Sequence, residues 1–233
     1  MFMPYMFFDS TYILVIIGVL LSAWASSYIN STYRKYEQVR NKKGLVASDV
    51  ARMILEDADI RDVGVTQISG DLTDNYNSQT KVLSLSERVS ESRSVSAIGV
   101  AAHECGHAIQ DKEGYFPLRL RASLVPVVNF GASISIPLIL IGAILFSGSS
   151  LLITIGIWCF ALTFLFQVVT LPVEFNASRR ALAVLSETQA LDDEELAMAR
   201  KVLTAAALTY IAAAIASLLQ LVRLILLFGK RRN

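Results

Sequence analysis

His103, Glu104 and His107 lie in the stretch AAHECGHAIQ, residues 101–110, and these are the only two histidines of the chain. On a helix of 3.6 residues per turn, positions i and i+4 share a face, so both imidazoles can reach one ion. Glu104 is rotated by about 100° from His103, near enough to touch a water on that ion. This is the H-E-x-x-H arrangement, with two imidazole ligands for zinc and a carboxylate to accept a proton. Zinc keeps a position open for water and lowers its pKa to about 7, and Glu104 would take the proton as that water attacks a carbonyl. The spacing therefore predicts hydrolysis assisted by one Zn2+ ion. A five-residue match also arises by chance in ordinary helices. Against chance stand the use of both histidines in one place and the small residues Ala101, Ala102, Gly106 and Ala108, which admit a close neighbour. A buried glutamate also needs a compensating partner.

A catalytic zinc site takes three protein ligands. With no histidine left, the third must be a carboxylate or Cys159. Cys159 falls inside an apolar run, out of reach, and reads as packing. Glu174 in LPVEFNASRR is the strongest candidate, since it follows an apolar run on the same predicted side of the membrane as His103. The competing reading pairs Glu174 with Arg179 or Arg180. Asp71, Asp111 and Glu113 are the alternative ligands. Cys105, at i+2 from His103, faces away and reads as core. An oxyanion partner would have to come from Tyr76, Tyr115 or an arginine.

The elements that must position these groups follow from composition. The 233 residues are 54% hydrophobic and 18% charged, with net charge +1 and mean hydropathy +0.50. Soluble domains carry about 25% charged residues, so a membrane protein is expected. The charge balance implies no nucleic-acid partner. Two cysteines without paired spacing fit a reducing environment. Four apolar runs, at about residues 12–28, 124–146, 151–170 and 202–228, read as spans. The first reads as an uncleaved anchor rather than a signal peptide, because no basic residue precedes it.

Arg34, Lys35, Arg40, Lys42 and Lys43 follow the first span and place segments 31–120 and 172–202 in the cytosol. Four spans beginning outside would end outside, yet the closing GKRRN argues for inside. Arg223 within the last run is costly in lipid unless it pairs. In segment 31–120, Ser48 is a candidate cap for a helix reaching about Ala58, buried through Val50, Ile54 and Leu55. VTQIS (65–69) and KVLSLS (81–86) alternate as strands, and KVLSLS could be an edge that receives an extended peptide. GDLTDNYNSQ between them reads as turn. Ser94 is a candidate cap for the histidine helix. SGSS reads as a tight turn between the second and third spans, SRRALAVLSETQALDDEELAMARK as an amphipathic helix, and DDEEL as a solvated helix start.

AIGVAAHECGHAIQ, then two spans, then PVEFNASRRALAVL, resembles the YugP-like membrane zinc metallopeptidases of bacteria over nearly the whole chain. The arrangement is also similar, more distantly, to the membrane heat-shock and prenyl-protein zinc endopeptidases. The resemblance implies His103, His107 and Glu174 as zinc ligands and Glu104 as general base. Asn176 stands where that family usually has aspartate, Ser178 where the larger relatives have an aspartate that orients a histidine, and DNYNSQ (74–79) is poorer in charge than the family's loop. The expectation is a single mainly α, multi-pass membrane domain over residues 1–233 with a small α+β zincin-like cytosolic portion. It would act as a zinc metalloendopeptidase on peptides or membrane-associated proteins at the bilayer. The competing class is a zinc-binding membrane scaffold with weak or no activity, motivated by the altered Asn176 and loop positions. A metal transporter fits less well, because the spans offer almost no polar ligands.

Overall fold

The computed structural model describes residues 9–144 and 150–228. The SGSS turn, Ser150 apart, and the GKRRN tail fall outside the described residues. The fold is mainly helical: α1 (Tyr12–Glu37), α2 (Ala47–Asp57), β1 (Gly64–Ile68), β2 (Asn75–Asn77), β3 (Val82–Ser86), α3 (Glu87–Ser90), α4 (Val95–Lys112), α5 (Phe116–Ile144), α6 (Ser150–Glu187) and α7 (Asp193–Phe228). Among the described residues, α1, α5, α6 and α7 are long and apolar enough to cross a membrane. Each is longer than the apolar run expected from sequence. α6 passes through Pro172, where a missing N–H costs one helical bond, and continues to Glu187. The helix expected over residues 178–201 is in fact two, with Gln189 at φ 53° in the break between them.

Two compact units emerge. One takes in residues up to Ser26, Leu120–Leu171 and residues from Thr209 onward, and the other Ser27–Arg119 and Pro172–Leu208. In the first, the outward faces are apolar: Phe130, Leu151 and Trp158 are 68%, 67% and 70% exposed. Water would penalise so much bare hydrocarbon, and lipid would not. Small residues let its helices touch. Ser135 on α5 donates to the Gly156 carbonyl of α6 at 2.8 Å, and a Cβ on Gly18 of α1 would stand 3.2 Å from Ala216 of α7. Such contacts are the usual glue of helices in lipid, where apolar burial gives no drive. Arg223 on α7 reaches Asp9 at 3.6 Å and lies over the Tyr12 ring, so its charge is matched.

The second unit has a conventional core. α2 buries Val50, Ile54 and Leu55, as its periodicity predicts. Ser48 does not cap it; Val46 holds the cap position and Ser48 is buried in the first turn. The sheet order is β1-β3-β2, with β1 parallel and β2 antiparallel to β3. KVLSLS is therefore the middle strand, paired on both sides, and cannot receive a peptide by edge pairing. The turn-rich GDLTDNYNSQ supplies β2, a strand too short to show alternation. Asp74 there accepts from the Ser86 N–H and hydroxyl.

α4 runs through the centre of this unit, with Ser94 accepting from the Ala97 N–H at its start. The DDEEL start of α7 is only partly solvated. Asp192 and Glu195 exchange side-chain bonds to each other's backbone N–H in a capping box, and Glu195, 3% exposed, also accepts from the Lys42 N–H at 2.6 Å.

Candidate metal centre

α4 and α6 meet at backbone contact. A Cβ on Gly106 would lie 2.5 Å from the Ala177 carbonyl oxygen, far inside van der Waals distance, so only glycine admits this approach. That contact brings the α6 turn carrying Glu174 across the face of α4 carrying His103 and His107. Glu174 Oε2 lies 3.2 Å from His103 Nε2 and 3.7 Å from His107 Nε2. One ligand atom from each residue falls within 4.8 Å of the others, and the imidazole rings are edge-to-face at 87°. Ligands at 2.0–2.1 Å from a tetrahedral zinc stand about 3.3 Å apart. The separations from the carboxylate are close to that, and two imidazoles with one carboxylate are a donor set zinc accepts while leaving a fourth position free.

The surroundings are dry. Glu174 is 2%, His107 7% and Glu104 8% exposed. Burial raises the Glu104 carboxyl above the usual carboxylate range, an effect the neighbouring histidines partly offset. Burial opposes the charged form of His107, yet the Glu174 and Glu104 carboxylates hold its pKa above the ordinary value. Cys105 is fully buried on the opposite face, against the Ala51 carbonyl, and burial pushes its thiol up. This is a packing cysteine.

The outer contacts differ between the histidines. His103 Nδ1 lies 3.1 Å from Ser178 Oγ, and His107 Nδ1 lies 3.0 Å from Gln110 Oε1. Gln110 Nε2 donates to the Val173 carbonyl at 2.8 Å and to Asn176 Oδ1 at 2.9 Å. Asn176 thus reaches a histidine through Gln110, whereas the serine touches one directly. Gln110 is absent from the sequence-derived candidates. The only signal for it in the sequence is its place three residues after His107, one turn along the same helix.

The alternative ligands are engaged elsewhere. Asp111 accepts from Lys81 at 2.6 Å and from the Tyr76 hydroxyl at 2.7 Å, which also commits Tyr76. Glu113 pairs with Arg180 at 2.6 Å. Asp71 is largely exposed, 3.9 Å from Arg88. Arg180 Nε donates to Asn176 at 2.7 Å, Arg179 is exposed, and Tyr115 reaches toward the Pro172 carbonyl.

The family described as "Putative neutral zinc metallopeptidase" matches residues 11–229. The chain belongs to this family. It is 43% identical over 220 residues to "Putative membrane protease YugP" of Bacillus subtilis (strain 168), covering 94% of this chain and 97% of that protein. No solved structure matches. The zinc metallopeptidase family match spans all four long apolar helices and both segments that meet at the candidate centre.

Proposed function

We propose that the chain is a membrane zinc metalloendopeptidase in which His103, His107 and Glu174 hold one zinc ion and Glu104 is the general base. The observation that carries this reading is the convergence of three donor atoms from α4 and α6 within 4.8 Å of one another, with the buried Glu104 beside them. Bound zinc would supply the Lewis acidity that acidifies a water and polarises the scissile carbonyl. Glu104 receives the proton of the attacking water on its carboxylate and passes it to the leaving amine. Burial raises its proton affinity toward the working pH, which suits a group that must both take and give. His103 and His107 are pre-aimed from their far nitrogens, so little rearrangement is needed on loading. A histidine helix beside a small sheet, completed by a glutamate from a later helix, supports a zincin-like portion.

Substrates in this reading are peptides or membrane-associated proteins. The basic residues Arg34, Lys35 and Arg40 after the first apolar run support a cytosolic site. The test is metal content. The protein is purified in mild detergent without chelator and compared with His107→Ala and Glu174→Ala by elemental analysis. About one zinc per chain is expected in the wild type, with much less in both variants. Zinc lost only from His107→Ala would return Asp71, Asp111 and Glu113 to consideration. Zinc bound in lipid without cleavage of any offered membrane peptide would favour the scaffold reading.

A further inference from the structure

The two histidines are held by chemically different partners. Ser178 offers His103 a hydroxyl, which can donate or accept and so leaves that ring's tautomer open. Gln110 offers His107 an amide oxygen, which can only accept.

The direction of that amide is set by the groups around it. Arg180 carries donors alone, and its Nε donates to Asn176 at 2.7 Å, so the Asn176 oxygen faces it. The same oxygen then accepts from Gln110 Nε2 at 2.9 Å. Gln110 Nε2 also donates to the Val173 carbonyl at 2.8 Å, a backbone acceptor that cannot flip. Both amide protons of Gln110 are thereby engaged, and its oxygen must face His107 Nδ1 at 3.0 Å. His107 Nδ1 must therefore carry a proton and donate it. In the neutral ring, the form that binds a metal, Nε2, the nitrogen turned toward Glu174, is then the one that keeps a lone pair for a ligand.

We propose that Gln110 is a positioning residue that fixes the tautomer of His107, and that Val173, Asn176 and Arg180 fix Gln110 in turn. This rests on the zinc reading above. Gln110 is fully buried, and a buried amide that merely joined two helices would serve equally well with His107 in either tautomer. The directional chain distinguishes the two roles. It also gives Asn176 a task in which a neutral oxygen suffices, because both of its partners are donors.

The test uses zinc-loaded protein labelled with 15N-histidine, in which the two histidines give the only imidazole signals. Zinc affinity is measured separately by chelator competition. In the wild type, His107 is expected to show a hydrogen-bonded, slowly exchanging Nδ1 proton. Gln110→Met should lose that proton and bind zinc roughly 10- to 100-fold more weakly, with the His103 signals unchanged. Asn176→Leu should weaken binding in the same direction, and Asn176→Asp, which keeps the acceptor for both donors, should recover most of the loss. A folded Gln110→Met with wild-type zinc affinity, or with the protected His107 proton intact, overturns the proposal. If Gln110→Met does not fold, equal affinities in the two Asn176 variants overturn it. Absence of zinc from the wild type removes the zinc reading and this inference together, whereas zinc in the wild type with unaffected variants removes this inference alone.

Discussion

Glu104 is the residue on which activity and binding part company in the proposed reading. It sits one position from His103 and borders the same dry space without being needed to hold an ion. Glu104→Ala is therefore expected to keep its zinc while turnover falls by roughly a hundredfold or more, the usual scale for a lost general base. Turnover at the wild-type rate in that variant would remove Glu104 from the mechanism. The shared face of the two histidines was legible from spacing alone, because i and i+4 lie on one side of a helix before any tertiary contact forms, and Glu104 was legible as their neighbour in the H-E-x-x-H pattern. Glu174 was legible only as the best of several carboxylates. What separates it from Glu113 is tertiary: Arg180 reaches Glu113, whereas the two imidazoles converge on Glu174. Gln110 was not legible, because a glutamine in a helix gives no sign of its purpose until the acceptors that orient it are in place.

At the scale of elements, the contact of Gly106 with Ala177 controls how closely Glu174 approaches the histidines. Gly106→Ala places a methyl group 2.5 Å from the Ala177 carbonyl oxygen. Relief requires α4 and α6 to part, at a cost of about 1–3 kcal/mol, typical of overpacking. The expected outcome is a lower thermal midpoint and reduced zinc content, with helical circular dichroism retained. Full zinc content would show that the helices can separate without moving the ligands. Asp111 ties α4 to the sheet, and its titration gives this tie a pH dependence. Burial alone would raise its pKa, but the Lys81 ammonium and the Tyr76 hydroxyl hold it below the ordinary value. A depressed carboxylate contributes stability above its unfolded pKa of about 3.9, and that contribution is lost as pH falls through the folded value. Asp111→Asn should lower stability at neutral pH and flatten the acid limb of a melting-temperature profile below about pH 4. An acid limb as steep as that of the wild type would place the acid sensitivity elsewhere. The elements themselves were legible to different degrees. Long apolar runs and the amphipathic α2 announced themselves by period. β2 is too short for a period, and the central place of β3 depends on pairing with both neighbouring strands. The continuation of α6 past Pro172 was hidden because proline reads locally as a boundary, while tertiary packing carries the helix onward.

For the whole molecule, the pairing of Arg223 with Asp9 and Tyr12, together with Gly18 beside Ala216, sets the start of α1 next to the end of α7. If all four helices cross, both then lie on one face of the membrane, which in the proposed reading, with the basic flank after α1 in the cytosol, is the outer one. A reporter fused after Asn233 is expected to be active only if it works outside the cytosol. Cytosolic reporter activity would mean that the positive tail prevails and that one of the four helices does not cross.

The clamp at the start of α7 has a consequence in time. Lys42 meets Asp192, Glu194 and Glu195, and Lys43 meets the Gln189 carbonyl. The proposed ligands all precede Gln189, so a ribosome has delivered them before the chain that engages Lys42 and Lys43 is made. The segment after the first helix waits for 150 further residues, the separation within the Lys42–Asp192 pair, before its partners arrive. A chain stalled between those two moments would carry every proposed ligand and still lack its closing contacts, leaving a window in which the candidate donors are present but the fold around them is not yet locked.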